Sequence, residues 1–285
     1  MKIEAYAKIN LALDITGRRP DGYHLVRMVM QSLKLHDTVD IEKSPDGEGL
    51  IGLHTDSDLV CDDKSNLAWK AAELLINEFD IRDRTEIRIT KRIPVAAGLA
   101  GGSSDAAAVL KGMNIVHNLG LSEEELQKRG LRLGADVPYC ISGGTMLSEG
   151  IGEILTKVEG GMPECGVLLV KPRVGVSTKE VYETFDSLEK ETHADVDGVL
   201  EALKNKNLPL LSERLSNVLE NVTIEKLPVI NDIKRDMNEA GAAGTLMSGS
   251  GPTVFALFDN EARLKEAEAF MRNKYSNEEI IVSSI

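Results

Sequence analysis

The sequence predicts an α+β fold, on three observations. Residues 3–15 alternate between apolar and polar side chains, the period-two signature of a strand. Helical spacings follow without a regular strand–helix–strand alternation, which disfavours a doubly wound parallel sheet. The chain has 285 residues, 42% hydrophobic and 28% charged, enough for one large domain or two intimate ones.

The elements follow in chain order. In the first strand Ile3, Ala5, Ala7, Ile9, Leu11, Leu13 and Ile15 form one face, and Lys2, Glu4, Tyr6, Lys8, Asn10 and Asp14 mostly form the other. That predicts a half-buried strand with Lys8 and Asn10 pointing the same way. "TGRRPDGYH" (16–24) supplies turn chemistry, and short β-like runs occupy 25–42. Leu67, Ala71, Leu74, Leu75 and Phe79 predict a helix over 66–79, capped by Ser65 or Asn66. "TEIRITK" (85–91) reads as a strand, a helix is expected from Ser103 or Ser104, and Ser122 with Glu125 forms a capping box for another.

The second half reads as strands at 165–171, 253–258 and 278–284, with helices near 178–188, 196–205, 208–220, 228–240 and 260–274. "KVEGGMPECG" (157–166) is the best boundary, giving halves of 1–158 and 159–285. Met28, Met30 and Trp69 read as packing residues.

Charge and cysteine content exclude several function classes. There are 33 Lys plus Arg against 46 Asp plus Glu, a net charge of −13, and no basic block, so nucleic acid and anionic membrane are not expected partners. An anionic ligand would need local devices such as helix N-termini, a placed lysine or a cation. Cys61, Cys140 and Cys165 form no CxxC pair and read as buried free thiols in a reducing compartment. The N-terminus lacks a signal-peptide pattern and no window is apolar enough to span a bilayer, so the expected location is the cytoplasm.

Three glycine-bearing stretches invite a functional reading. In "PVAAGLAGGSSDAAAVL" (94–110), Pro94 ends the strand and Gly98 to Gly102 allow close backbone approach to a ligand, ahead of an alanine-rich helix. Such a loop turns backbone N–H groups and a helix dipole on one spot, which suits a di- or triphosphate. Neither the G-x-x-x-x-G-K-[ST] pattern nor G-x-G-x-x-G fits it, and a plain connecting turn is the other reading. "MSGSGPT" (247–253) precedes an apolar run, as ordinary Ser/Gly turns do, and Asp136 in "LGADVPYC" (133–140) could be only a cap or turn residue.

Together these motifs resemble the GHMP family of small-molecule kinases: the "AKINLALDITGRRPDGYH" segment (7–24), the loop at 94–108, "LGADVPYC" and "MSGSGPT" occur in matching order from residue 3 to beyond residue 258. The resemblance implies the two-domain GHMP fold with its active site in the cleft between the halves, and transfer of the ATP γ-phosphoryl to a hydroxyl of a small molecule. It implies that Pro94, Val95, Ala96, Ala97, Gly98, Leu99, Ala100, Gly101, Gly102, Ser103 and Ser104 bind ATP and that Lys8 and Asp136 are the catalytic pair. Asn10 matches a polar neighbour in the site, Tyr23 and His24 match residues that hold a cytosine, and Tyr182 falls where a second aromatic meets the base. The acceptor implied is a small molecule linked to cytidine diphosphate. Gly249, Ser250 and Gly251 match the motif that closes the site near the phosphates.

Mg²⁺ is implied beside ATP, with Ser104 and Asp105 as neighbours and no ligand assigned, and a monomer or a homodimer fits the family. Ala97 and Ala100 depart from glycines common in the family, and a positive φ would be costly there. The open alternatives are another GHMP kinase, acting on homoserine, mevalonate or a sugar, and a nucleotide sensor without catalysis.

Overall fold

The computed structural model describes residues 1–44, 49–188 and 192–285. In chain order the elements are β1 (Lys2–Arg18), β2 (His24–Ser44), β3 (Ile51–Thr55), α1 (Leu67–Phe79), β4 (Arg84–Thr90), α2 (Gly101–Val116), α3 (Glu123–Leu131), α4 (Val137–Ser142), β5 (Thr145–Glu149), β6 (Ile154–Lys157) and β7 (Gly166–Lys171). There follow α5 (Thr178–Phe185), α6 (Val196–Lys204), α7 (Leu208–Arg214), β8 (Ser216–Asn217), α8 (Glu220–Lys226), α9 (Val229–Glu239), β9 (Gly244–Met247), β10 (Val254–Phe258), α10 (Glu261–Lys274) and β11 (Glu279–Ser284). The mixture is the predicted α+β. Contacts group the chain into two units that interleave along the sequence: Met1–Ala7, Leu35–Val95 and Ala100–Gly143 form the first, and Lys8–Lys34, Ala96–Leu99 and Gly144–Ile285 the second.

In the first unit β4 pairs antiparallel with the end of β2, Thr38 opposite Thr90, and parallel with β3, Ile51 opposite Thr85. The chain crosses from β3 to β4 through α1. Asn66 caps that helix by accepting the Ala68 N–H at 2.9 Å. Its buried face is Ala68, Ala71, Ala72, Leu75 and Ile76, a stripe one position round from the predicted one, because the small alanines let α1 lie close against the alanines of α2. Leu75, Ile87 and Val109 are fully buried in this core, each contributing roughly 1.5–3 kcal/mol. The Ser122–Glu125 capping box of α3 forms as predicted.

In the second unit β5 pairs antiparallel with the start of β2, β6 pairs with β5, and β8 pairs parallel with β1, Leu13 opposite Asn217. A separate antiparallel sheet has the order β11-β7-β10-β9, and Ile230, Ile233 and Met237 of α9 with Leu264 and Met271 of α10 pack against Leu168, Val170 and Phe258. The single helix expected over 208–220 is instead α7, β8 and α8. Ser216 and Asn217 leave the helix to pair with Ala12 and Leu13, while the Asn217 side chain is drawn to another loop. Cys140 and Cys165 are partly buried, but Cys61 is exposed, against the expectation of buried thiols.

Candidate functional site

Lys8 and Asn10 are where the alternation of β1 puts them, on one face two residues apart, but that face is not solvated. Lys8 is 5% exposed and Asn10 0%, since β1 is covered on both sides from Ala7 to Ile15. A buried ammonium needs partners, and Lys8 Nζ donates to Asn10 Oδ1 at 2.6 Å while Asn10 Nδ2 meets Met28 Sδ at 3.3 Å. Met28 is therefore packing and an Asn10 neighbour at once.

Two glycine turns of the second unit come to this pair. The Lys8 amide donates to the Leu99 carbonyl at 3.1 Å, which anchors residues 96–99 on β1. The Ser248 hydroxyl donates to the Gly98 carbonyl at 2.9 Å. A Cβ added to Gly249 would lie 3.5 Å from Lys8 Nζ, 3.5 Å from Asn10 Oδ1 and 3.4 Å from the Gly98 oxygen, so a bare backbone faces the ammonium. Lys8, Asn10, Gly98 and Gly249 thus converge within one unit, although they stand far apart in sequence.

The 94–104 stretch has its own backbone signature. Ala96, Gly98 and Ala100 have φ of 52°, 73° and 59°, alternating with Ala97 and Leu99, which are not in that region. Alternating left- and right-handed residues turn successive N–H groups to one side as an anion-binding nest. Ala100 bears the positive φ that its alanine disfavours; Ala97 does not, and Ala96 does.

Helix α2 starts at Gly101, before the expected Ser103 or Ser104, with Ala100 at the cap position and no side-chain cap bond. Serine does not cap here because Ser104 lies inside the first turn, its hydroxyl donating to the Tyr6 carbonyl at 2.6 Å. The first N–H groups are left for another acceptor.

Asp136 belongs to the first unit. It sits at the cap position of α4, and its side chain makes no cap hydrogen bond there. One turn on, Cys140 Sγ accepts from Ser104 at 3.3 Å, which brings the start of α4 to the start of α2.

The neighbouring Asp105 is 2% exposed and held by Lys91 Nζ at 2.6 Å, and Lys91 also pairs with Asp37 at 2.5 Å. Asp37 in turn accepts the N–H groups of Arg92 and of Ile93. This triad ties the segment entering the loop to the helix leaving it. Burial pushes the Asp105 carboxyl up to about 7 against the pull of Lys91, and the Asp37 charge adds to the rise. Sequence reasoning missed Lys91 and Asp37, which are 54 residues apart.

Of the expected base-binding residues, Tyr182 lies on α5 and His24, at the start of β2, meets it there. Thr178, Tyr182 and Asp186 recur every four residues and so share one side of the helix. Thr178 shares a hydrogen bond with the Ser250 hydroxyl at 2.9 Å. Tyr182 lies 4.9 Å from the His24 ring at a tilt of 42°. Asp186 meets His24 Nε2 at 2.7 Å and Arg18 at 2.9 Å. His24 is drawn in while Tyr23, next in the hairpin, stays 59% exposed. Asp186 and Thr178 are further residues that sequence reasoning missed; their four-residue spacing around Tyr182 was the available signal.

Comparison with known proteins places this geometry. The GHMP kinases N terminal domain model matches residues 66–144 and the GHMP kinases C terminal model matches 199–277. The 4-diphosphocytidyl-2-C-methyl-D-erythritol kinase of Clostridium perfringens (strain 13 / Type A) is 49% identical over 283 residues, 99% of this chain and 97% of that protein. That of Acetivibrio thermocellus is 50% identical over 273 residues, 96% of this chain and 95% of that one.

Among solved structures, a 4-(cytidine 5'-diphospho)-2C-methyl-D-erythritol kinase superposes with a TM-score of 0.83 at 29% identity, covering 100% of this chain and 98% of the other. The L. major mevalonate kinase, in complex with R-mevalonate, shares the fold at a TM-score of 0.77 and 15% identity, covering 100% and 95%. By sequence along nearly its whole length, this chain belongs to the GHMP kinases, in the family of the 4-diphosphocytidyl-2-C-methyl-D-erythritol kinases.

Proposed function

We propose that the chain transfers the γ-phosphoryl of ATP to the 2-hydroxyl of 4-diphosphocytidyl-2-C-methyl-D-erythritol, in the non-mevalonate (MEP) route to isoprenoids. The observation that carries this reading is the His24–Tyr182 ring pair fixed by Asp186, in a chain 49% identical to kinases named for that substrate. Tyr23, His24 and Tyr182 take the cytosine. The Asp186 carboxylate accepts from Nε2 of His24 and so fixes that ring beside Tyr182, where the base would stack.

Residues 94–104 receive the ATP phosphates, a role supported by the alternating φ signs and the uncapped start of α2. Phosphoryl transfer passes through a loose transition state, so positioning and charge neutralisation do most of the work. Lys8 supplies a point charge, and Asn10, Gly249, Ser250 and Gly251 shape the surroundings of its ammonium and the phosphates. Asp136 accepts the proton of the 2-hydroxyl as that oxygen bonds to the γ-phosphorus and the bond to the β–γ bridging oxygen breaks, releasing ADP. A Mg²⁺ ion bound with ATP would supply further charge neutralisation at the phosphates. Ser104 and Asp105 would be its protein neighbours: one Asp105 oxygen is held by Lys91 and the other, Oδ1, is buried without a hydrogen-bond partner, while the Ser104 hydroxyl is bonded to the Tyr6 carbonyl.

The division at 158/159 is retained as a family-level proposal, because the two model matches fall on either side of it. No helix among the described residues is long and apolar enough to cross a membrane; a cytoplasmic location, with the chain a monomer or homodimer, is part of the proposal. The roles are tested by ADP release: Asp136→Ala should cut kcat by roughly 10²-fold or more. Near-normal turnover would remove the assignment.

A further inference from the structure

We infer that Asn217 is a positioning residue of the phosphoryl-transfer site, setting the Met247–Gly251 turn against Lys8; the inference rests on the proposed kinase reaction. Its amide Nδ2 donates to the Met247 carbonyl at 2.9 Å and to the Gly249 carbonyl at 2.7 Å, and its Oδ1 accepts the Leu219 N–H at 3.0 Å. All three bonds are buried, and the Asn217 residue is 7% exposed. The orientation of the amide is fixed by these partners, because a flipped group would set its oxygen against two carbonyls.

Asn217 also has a second attachment. It pairs with Leu13 across the parallel β8–β1 ladder, and the Val218 amide donates to the Leu13 carbonyl at 3.0 Å. One residue therefore grips both the strand that carries Lys8 and Asn10 and the turn whose Gly249 backbone faces them. Thr223 reinforces the same turn, its hydroxyl donating to the Ser250 carbonyl at 3.1 Å, and Glu220 accepts the Met247 N–H at 2.9 Å.

This bracing explains why the predicted helix over 208–220 is interrupted. The break at 215–219 exchanges helical hydrogen bonds for bonds that hold a loop. The Asn217 side chain is bonded to backbone at both its nitrogen and its oxygen, so what it fixes is the backbone beside the ammonium. Its loss should therefore appear in the chemical step rather than in ground-state binding.

The test compares wild type with Asn217→Asp, Asn217→Ala and Thr223→Val in ADP release with the cytidylyl acceptor, with kcat normalised to the folded fraction. Asn217→Asp keeps the shape but faces a carboxylate to two carbonyls. The expected result is a kcat lowered roughly 10- to 100-fold in both Asn217 variants with both KM values within about threefold of wild type. Thr223→Val, which keeps volume and removes the hydroxyl that reaches the Ser250 and Leu219 carbonyls, should lose several-fold in kcat and decides the matter if the Asn217 variants do not fold.

A purely structural brace would lower the urea midpoint and leave the normalised kcat unchanged, which would overturn the inference. Raised KM values at wild-type kcat would overturn it too. If wild type itself shows no acceptor-dependent ADP release, the proposed function falls and takes this inference with it. An active wild type with variants of wild-type kcat sinks the inference alone.

Discussion

Gly98→Ala asks whether the two glycine turns must touch. Gly98 has φ of +73°, and an added Cβ would lie 2.3 Å from the Ser248 carbonyl oxygen, 3.1 Å from the Gly251 oxygen and 3.3 Å from the Gly251 nitrogen. Alanine in the left-handed region costs about 1–2 kcal/mol, a strain already borne at Ala96 and Ala100, so the backbone angle alone is tolerable. The contact is not. Real Cβ atoms essentially never come within 3.0 Å of such an atom, so the Ser248 carbonyl would have to retreat by at least 3.0 − 2.3 = 0.7 Å.

That carbonyl cannot move alone. It accepts the Gly251 N–H at 2.9 Å, the Ser248 hydroxyl is bonded to Gly98, and Asn217 holds residues 247 and 249 on either side. Overpacking of this kind costs about 1–3 kcal/mol, which with the backbone strain makes about 2–5 kcal/mol. A misplacement near 1 Å in a positioning element costs on the order of 10²-fold in rate. Urea unfolding and ADP release at saturating substrates should show both losses in Gly98→Ala. Ala100→Gly, which relieves a positive φ, should stay within about 1 kcal/mol of wild-type stability. A Gly98→Ala protein with wild-type midpoint and kcat would refute the contact between the turns.

Other expectations follow from the remaining clusters. Tyr23→Ala should raise KM for the cytidylyl acceptor about 5- to 100-fold, the scale of one base-stacking contact, and leave KM for ATP almost unchanged; equal rises for both substrates would mean general misfolding. Asp105→Asn should change the pH dependence of stability. The folded state holds the Asp105 proton to about 7 against an ordinary value of 3.8, so this group stabilises the fold fully below about pH 4 and loses that contribution as pH rises through 7. Urea midpoints at pH 5 and pH 8 should fall more with pH for wild type than for the variant, and identical slopes would contradict the buried-carboxyl account.

Much of the site was legible because its motifs are local. The alternation of β1 gave Lys8 and Asn10 a common face, and the 94–104 stretch declared its backbone freedom through its glycines. What covers a face is not local, and nothing in residues 3–15 says that the polar side of β1 lies under other parts of the chain. Capping preferences misplaced the start of α2, since serine signals a cap whether or not the helix end is kept open. The six-residue α4, which carries Asp136 at its cap, is too short for a periodic signal to emerge. The Lys91–Asp37–Asp105 triad and the Asn217 brace depend on chain-distant partners, so no window of sequence contains them.

The most direct measurement of the central claim is ADP release by the purified protein, with ATP and Mg²⁺, across 4-diphosphocytidyl-2-C-methyl-D-erythritol, homoserine, mevalonate and galactose. Turnover is expected with the cytidylyl acceptor and is lost in Asp136→Ala. Turnover on another member of the panel in place of that acceptor, or nucleotide binding with no turnover on any, would contradict it.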